Sequence, residues 1–157
     1  MDQKYRKTNN WNLKLYLLIT VTILSSTVQS TPNEVISTDI DSEVIADWNR
    51  ITYQIADEHD QFYSLIGIRT LTMVHLAIHD ALNTINPRYE HYAFHEDEPA
   101  ANATAAVSQA AFEILVIQYP DRRDTLELVL NTKLSELKES PAKQKGIEVG
   151  KRLSKYY

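Results

Sequence analysis

At 157 residues, with 16 Lys+Arg against 21 Asp+Glu and no cysteine, the chain has room for one ordinary domain and none for a disulfide framework or a thiolate nucleophile. Loss of the first thirty residues would leave 12 Lys+Arg against 20 Asp+Glu. Such an acidic surface repels nucleic acid and anionic lipid, which excludes both as partners.

Residues 1–30 have the order of a secretory signal peptide. Lys4, Arg6, Lys7 and Lys14 form a basic region, Leu15 to Leu24 is apolar, and small polar residues end at Val28-Gln29-Ser30. The apolar run is roughly half of the ~20 residues that span a bilayer. The expectation is cleavage after Ser30 and export to the periplasm or the extracellular space, with no stable membrane span afterwards. Residues 31–40 are polar and aperiodic with Pro32, a flexible lead-in to a helical domain over 41–157.

Within that domain the periodicity predicts an all-α fold, a bundle of about five helices. The first starts at Asp41 or Ser42 as cap and ends near Glu58; Val44, Trp48, Ile51 and Ile55 form its apolar stripe. The second runs from about Ser64 to Ile85, is apolar on most of its circumference, and is stopped by Asn86-Pro87. So apolar a helix belongs in the middle of a bundle. Pro87 to Ala101 suits an ordered loop crossing the helices.

A third helix covers Ala105 to Tyr119, Ala-rich at its start and ended by Pro120. The fourth, capped by Asp121, spans about Arg122 to Lys138 with Leu126, Val129, Leu130, Leu134 and Leu137 as its buried face. The fifth opens at Ser140-Pro141, with proline in the favoured first position, and is still helical at Tyr157. With no glycine cap, proline or polar tail after the last periodic residue, the expected bundle is an incomplete part of a larger all-helical fold.

Five histidines lie between His59 and His95, and two pairs share a spacing of four, His75/His79 and His91/His95. On a helix that spacing puts two imidazoles on one face, where Asp80 or Glu96 could complete a zinc shell. Hydrolytic zinc helices place Glu directly after the first His, whereas Leu76 follows His75. Hydrogen-bonded core histidines at His75 and His79, and exposed loop polarity at His91 and His95, are therefore the favoured reading, and no metal ligand is assigned. The acids Glu96-Asp97-Glu98 and the mixed charges from Lys133 to Lys155 read as solvated surface.

No serine occupies a Gly-x-Ser-x-Gly elbow, and Gly67, Gly146 and Gly150 all sit within helical patterns, which removes a phosphate cradle as well. Asn102-Ala103-Thr104 forms a glycosylation sequon, meaningful in a eukaryotic host.

Three stretches, in order, resemble the N-terminal helices of vanadium-dependent haloperoxidase-like proteins of the type 2 phosphatidic acid phosphatase superfamily. They are Val44 to Ile51 (VIADWNRI), Arg69 to Asn83 (RTLTMVHLAIHDALN) running into Ile85-Asn86-Pro87-Arg88-Tyr89, and Pro141 to Gly150. The resemblance covers roughly Ser42 to Tyr157. It implies an all-helical parent that binds vanadate or phosphate and either oxidises halide with hydrogen peroxide or hydrolyses phosphate esters.

The family's site resembles a Lys, then Arg-Pro, then Ser-Gly-His, then an Arg and a last His, all downstream of the matched part. A multiply charged oxyanion needs several such fixed cationic donors. Here the prolines follow Thr31, Asn86, Glu98, Tyr119 and Ser140, and no glycine follows a serine. No catalytic or cofactor-binding residue is carried over. His79, Asp80 and Asn83 resemble family positions of structural or site-bordering role.

The resulting expectation is an exported N-terminal fragment of such a protein, inactive alone and holding no cofactor, with vanadate implied only for the full-length family. Its partner would be the missing C-terminal helical half or a second copy of itself. The alternatives are a standalone exported helical binding or oligomerisation module and a histidine-based metal-binding protein.

Overall fold

A computed structural model of the protein describes Ile40 and residues 42–157. The expected signal peptide, the rest of the lead-in and the candidate cap Asp41 lie outside the described residues. Five α-helices account for the described fold and no strand occurs among its residues: α1 (Ser42–Asp60), α2 (Ile66–Ile85), α3 (Ala103–Gln118), α4 (Arg123–Ser135) and α5 (Pro141–Leu153). Short 3-10 turns follow at Pro120–Arg122 and Ser154–Tyr156. None of the described helices is long and apolar enough to cross a membrane.

The middle of the bundle is α3 rather than α2. Its alanines Ala105, Ala106, Ala110 and Ala111 are fully buried, as are Val107, Ile114 and Leu115, so apolar side chains line its whole circumference. It packs against each of the other four helices. By contrast α2 leaves Ile66 and Ile68 exposed near its start and buries Val74, Ala77, Ile78 and Ala81. Mean apolarity marked both helices, but only the short alanine side chains let neighbours approach from every side.

The closest approach is between α3 and α5. A Cβ placed on Gly146 would lie 2.5 Å from the Asn102 carbonyl oxygen and 2.8 Å from Ala105 Cβ; one on Gly150 would lie 2.5 Å from Gln109 Cβ and 2.8 Å from the Ala110 nitrogen. The four-residue spacing of the glycines thus forms a seam along which the two backbones nearly touch. Because Gly146 faces the first turn of α3 and Gly150 the next, the helices run in the same direction. Their starts are tied as well: the Asn102 amide donates to the Ala142 carbonyl at 2.8 Å.

Caps fix the helix starts. The Asn102 side chain accepts from the Ala105 amide, which begins α3 two residues earlier than expected, and Ser140 accepts from the Lys143 amide ahead of Pro141. Asp121 does not cap α4; it falls within the 3-10 turn, and Arg122 precedes the helix without a capping side chain. The α4 helix ends at Ser135, so Leu137 lies beyond it, and of the expected face only Leu126 and Leu130 are buried.

The expectation that the fifth helix continues to Tyr157 is also corrected. It ends at Leu153, where the Ser154 amide turns to the Arg152 and Gly150 carbonyls and the Ser154 hydroxyl donates to the Lys151 carbonyl.

Most of the charges expected to be solvated are exposed, Lys143 being the buried exception, yet several of them also tie segments of the bundle together. Glu98 meets Lys145 at 2.9 Å and Glu96 meets Arg152 at 3.0 Å, fastening the long loop to α5. Lys133 of α4 pairs with Asp47 of α1, which also holds Arg50, while the almost fully buried Lys143 pairs with Glu139. The Lys133 hydrogen bond is the main reason the Asp47 carboxyl lies below its ordinary range; partial burial opposes it and Arg50 assists.

Between α1 and α2 the chain turns through two non-glycine residues with left-handed backbone, Gln61 at φ 55° and Phe62 at φ 58°, each costing about 1–2 kcal/mol. Around this turn Tyr53, Tyr63, Leu65, Ile66 and Ile68 remain exposed, Tyr63 at 89% and Leu65 at 79%.

Candidate functional site

Three residues of α2 organise the loop that follows it. Asp80 is completely buried, a placement that a carboxylate tolerates only with hydrogen-bond donors around it. Its Oδ1 accepts from the Tyr92 amide at 2.7 Å, and its Oδ2 accepts from the amides of Ala93 and Phe94, both at 2.8 Å. The Tyr157 hydroxyl donates to the same Oδ2 at 2.7 Å, with the Leu76 carbonyl a second acceptor at 3.1 Å.

Burial alone would push the Asp80 carboxyl up. The Ala93 and Phe94 amides, the Tyr157 hydroxyl and the Tyr92 amide outweigh it, and the group lies below its ordinary range. Burial, then the hydrogen bond to Asp80 and the Asp80 charge, push Tyr157 the other way, far above the usual phenol range. Stacking of Tyr92 on Tyr157, and of Phe94 edge-on against Tyr156, completes the junction of loop and chain end.

One turn further on, the buried Asn83 does the same for the start of the loop. Its Oδ1 accepts from the amides of Arg88 at 3.4 Å and Tyr89 at 3.3 Å, which directs its Nδ2 toward His79 Nε2 at 2.9 Å. That imidazole nitrogen is also 2.9 Å from the Glu90 carbonyl. A single ring nitrogen either donates or accepts. Protonated, Nε2 serves Glu90; bare, it serves Asn83.

The expectation of two hydrogen-bonded core histidines is corrected in part: both imidazoles are hydrogen-bonded, but neither is fully buried, because they face different partners at the edge of the bundle. His75 is exposed and bonds Asn49 of α1 through Nε2 at 2.9 Å, whereas half-buried His79 faces the loop. The His91 and His95 rings approach with centroids 5.7 Å apart, and His91 Nδ1 is buried without a protein partner. Among the described residues no group of three His, Asp or Glu side chains converges to hold a metal ion. Lys133, Lys143, Lys145, Arg122 and Arg152 are each engaged by a carboxylate, at scattered points of the described fold.

Beside the Asn83 clamp lies a cleft of about 230 Å3, lined by Ile40, His79, Leu82, Asn83, Ile85, Asn86, Arg88, Tyr89 and Ala103. Ile40, Leu82, Ile85 and Ala103 supply its apolar side. His79 and Tyr89, with ring centroids 6.1 Å apart, stand together on its polar side. Arg88 forms no ion pair among the described residues. With the Asn86 amide oxygen turned toward it, its Nε and Nη2 donate at 3.1 and 3.3 Å.

Of these residues, His79, Asp80 and Asn83 are flagged by the sequence, where the resemblance implies a structural or site-bordering role for all three; in the fold each of them bonds the loop. Arg88 and Tyr89 appear in the sequence only as part of a matched stretch, without a role. Tyr157 carries no sequence signal, because its partner stands 77 residues away. Compared with known proteins, the chain matches no family model, no curated relative and no solved structure.

Proposed function

We propose that this chain is the N-terminal helical part of an exported vanadium-dependent haloperoxidase-like or phosphatidic acid phosphatase-like protein, and that it serves as scaffold rather than catalyst. The observation that carries this reading is the single structural device made by its most specific matched stretch. His79, Asp80 and Asn83 clamp the loop that begins Asn86-Pro87-Arg88-Tyr89. The lack of Arg-Pro and Ser-Gly-His in the sequence supports a non-catalytic part. The apolar surface at the strained α1–α2 turn suits burial under further helices of the same protein; that remainder would carry the vanadate or phosphate site.

The test has two arms. Purified chain assayed for peroxide-dependent bromide oxidation with added vanadate, and for phosphate ester hydrolysis, is expected to match a blank; turnover above it refutes the scaffold role. The DNA beyond the Tyr157 codon is expected to encode Arg-Pro, Ser-Gly-His and a final His in one of three frames. Their absence leaves the second reading, an exported helical binding module, which the cleft beside Asn83 favours.

A further inference from the structure

The cleft on α2 has the attributes of a small-molecule site, an apolar wall facing a few convergent polar groups. We propose that it binds a small ring-bearing carboxylate, gripped by the Arg88 guanidinium with its ring against Leu82, Ile85 and Ala103. The inference rests on the cleft alone and holds whichever reading of the whole chain is correct.

Size comes first. A dry protein cavity of about 150 Å3 accommodates benzene, so about 230 Å3 takes one six-membered ring and leaves space for a substituent of carboxylate size. Charge comes next. Arg88 is the cation among the described lining residues, and no acid is among them. One guanidinium balances a monoanion, whereas phosphate-like dianions call for several cationic donors.

Geometry narrows the class further. A guanidinium has five N–H donors in a planar fork, and the Asn86 oxygen occupies two of them, at Nε and Nη2. The remaining edge matches the two oxygens of a carboxylate side by side. The wall is fixed in advance, because Asn83 holds the Arg88 and Tyr89 amides and Asp80 holds the next three-residue run. Little loop ordering remains to oppose binding. The chain as a whole is acidic, so recognition comes from these short contacts and not from long-range attraction.

The test is a titration of the 15N-labelled full chain with benzoate, followed by two-dimensional NMR. Saturable shifts are expected at the amides of His79, Asn83, Arg88, Tyr89 and Ala103 and at the Asn83 and Asn86 side chains. Benzyl alcohol, with the ring but no charge, should bind at least tenfold more weakly, and acetate should not saturate. Arg88→Ala should weaken benzoate at least tenfold while leaving benzyl alcohol unchanged, and Arg88→Lys should fall between. Both replace an exposed side chain, and unchanged spectral dispersion verifies that each variant is folded. The proposal is overturned by no saturable shift, by shifts centred elsewhere, by benzyl alcohol binding as tightly as benzoate, or by Arg88→Ala binding like wild type.

Discussion

Replacing Gly150 by alanine adds a single methyl group, yet the α3–α5 seam leaves no space for it. The new Cβ would stand 2.5 Å from Gln109 Cβ, 2.8 Å from the Ala110 nitrogen and 2.9 Å from the Ala106 oxygen, whereas carbon contacts are comfortable at about 3.5–4.0 Å. Backbone atoms and a Cβ cannot rotate away, so α5 must move outward by roughly 1 Å, loosening Val149 and Leu153, both fully buried. Alanine improves helix propensity by about 1 kcal/mol, and overpacking of a fixed contact costs about 3 kcal/mol. The net loss is about 2 kcal/mol, or roughly 8 °C in Tm at this size.

Urea and thermal unfolding followed by circular dichroism would measure the loss. Gly67→Ala is the internal control: its nearest atoms belong to the Phe62 ring, at 2.8 and 2.9 Å, and to Ala56 Cβ. That half-buried ring can turn aside, which leaves the Ala56 Cβ at 2.9 Å as the one fixed contact, so the cost should be smaller than that of Gly150→Ala. Once Gly150→Ala has pushed α5 out, adding Gly146→Ala should cost less than it does alone. A Gly150→Ala variant that melts at or above wild type would show that α5 does not sit on α3 as described.

Asp80→Asn should destabilise by about 3 kcal/mol in urea titrations, since the amide turns an N–H group toward donors that a carboxylate satisfied. The Asp80 carboxyl is depressed in the fold, so the unfolded chain binds the proton more readily. Stability from this group is present above the ordinary value of 3.8 and drains away as pH falls below it; the variant should show a shallower acid limb, and an identical limb would refute the clamp. Tyr157→Phe should lose stability at neutral pH, and its deficit should shrink from about pH 10 upward, because the wild-type phenol then ionises in the unfolded chain while the raised phenol of the fold stays protonated, which favours unfolding of wild type. Asp47→Asn, which strands Lys133, should cost about 1 kcal/mol by thermal melting. Tyr119→Phe removes a buried hydroxyl without a protein partner, so its Tm should equal or exceed that of wild type.

What the sequence reveals and what it conceals divide along a physical line. Helix existence rests on local periodicity and on breakers such as Asn86-Pro87 and Pro120, and all five helices are found where these signals put them. The centre of the bundle is harder to read. Apolarity singles out Ile66 to Ile85 as strongly as Ala103 to Gln118, and only the facing glycines of α5 show which helix is approached from all sides. Those glycines, read from sequence, are merely interruptions of a helical pattern. Helix ends are misplaced where a cap comes from an unexpected residue, as with Asn102, or where a turn tightens, as at Ser154.

The candidate site is less legible, because its logic is a matching of donors to acceptors across separated segments. Asp80 within an apolar helix signals a buried charge in need of partners, but nothing local identifies the amides 12 to 14 residues on or the hydroxyl 77 residues on. Histidine spacing misleads for the same reason: four residues put His75 and His79 on one face, yet Asn49 draws one imidazole toward α1 while the loop takes the other. Arg88 is the converse case. In sequence it is one of 16 Lys+Arg; in the fold it stands beside the Asn86 amide at the mouth of an apolar cleft and forms no ion pair among the described residues. A cation becomes a candidate for binding through the cleft it borders, and that is a property of the folded chain.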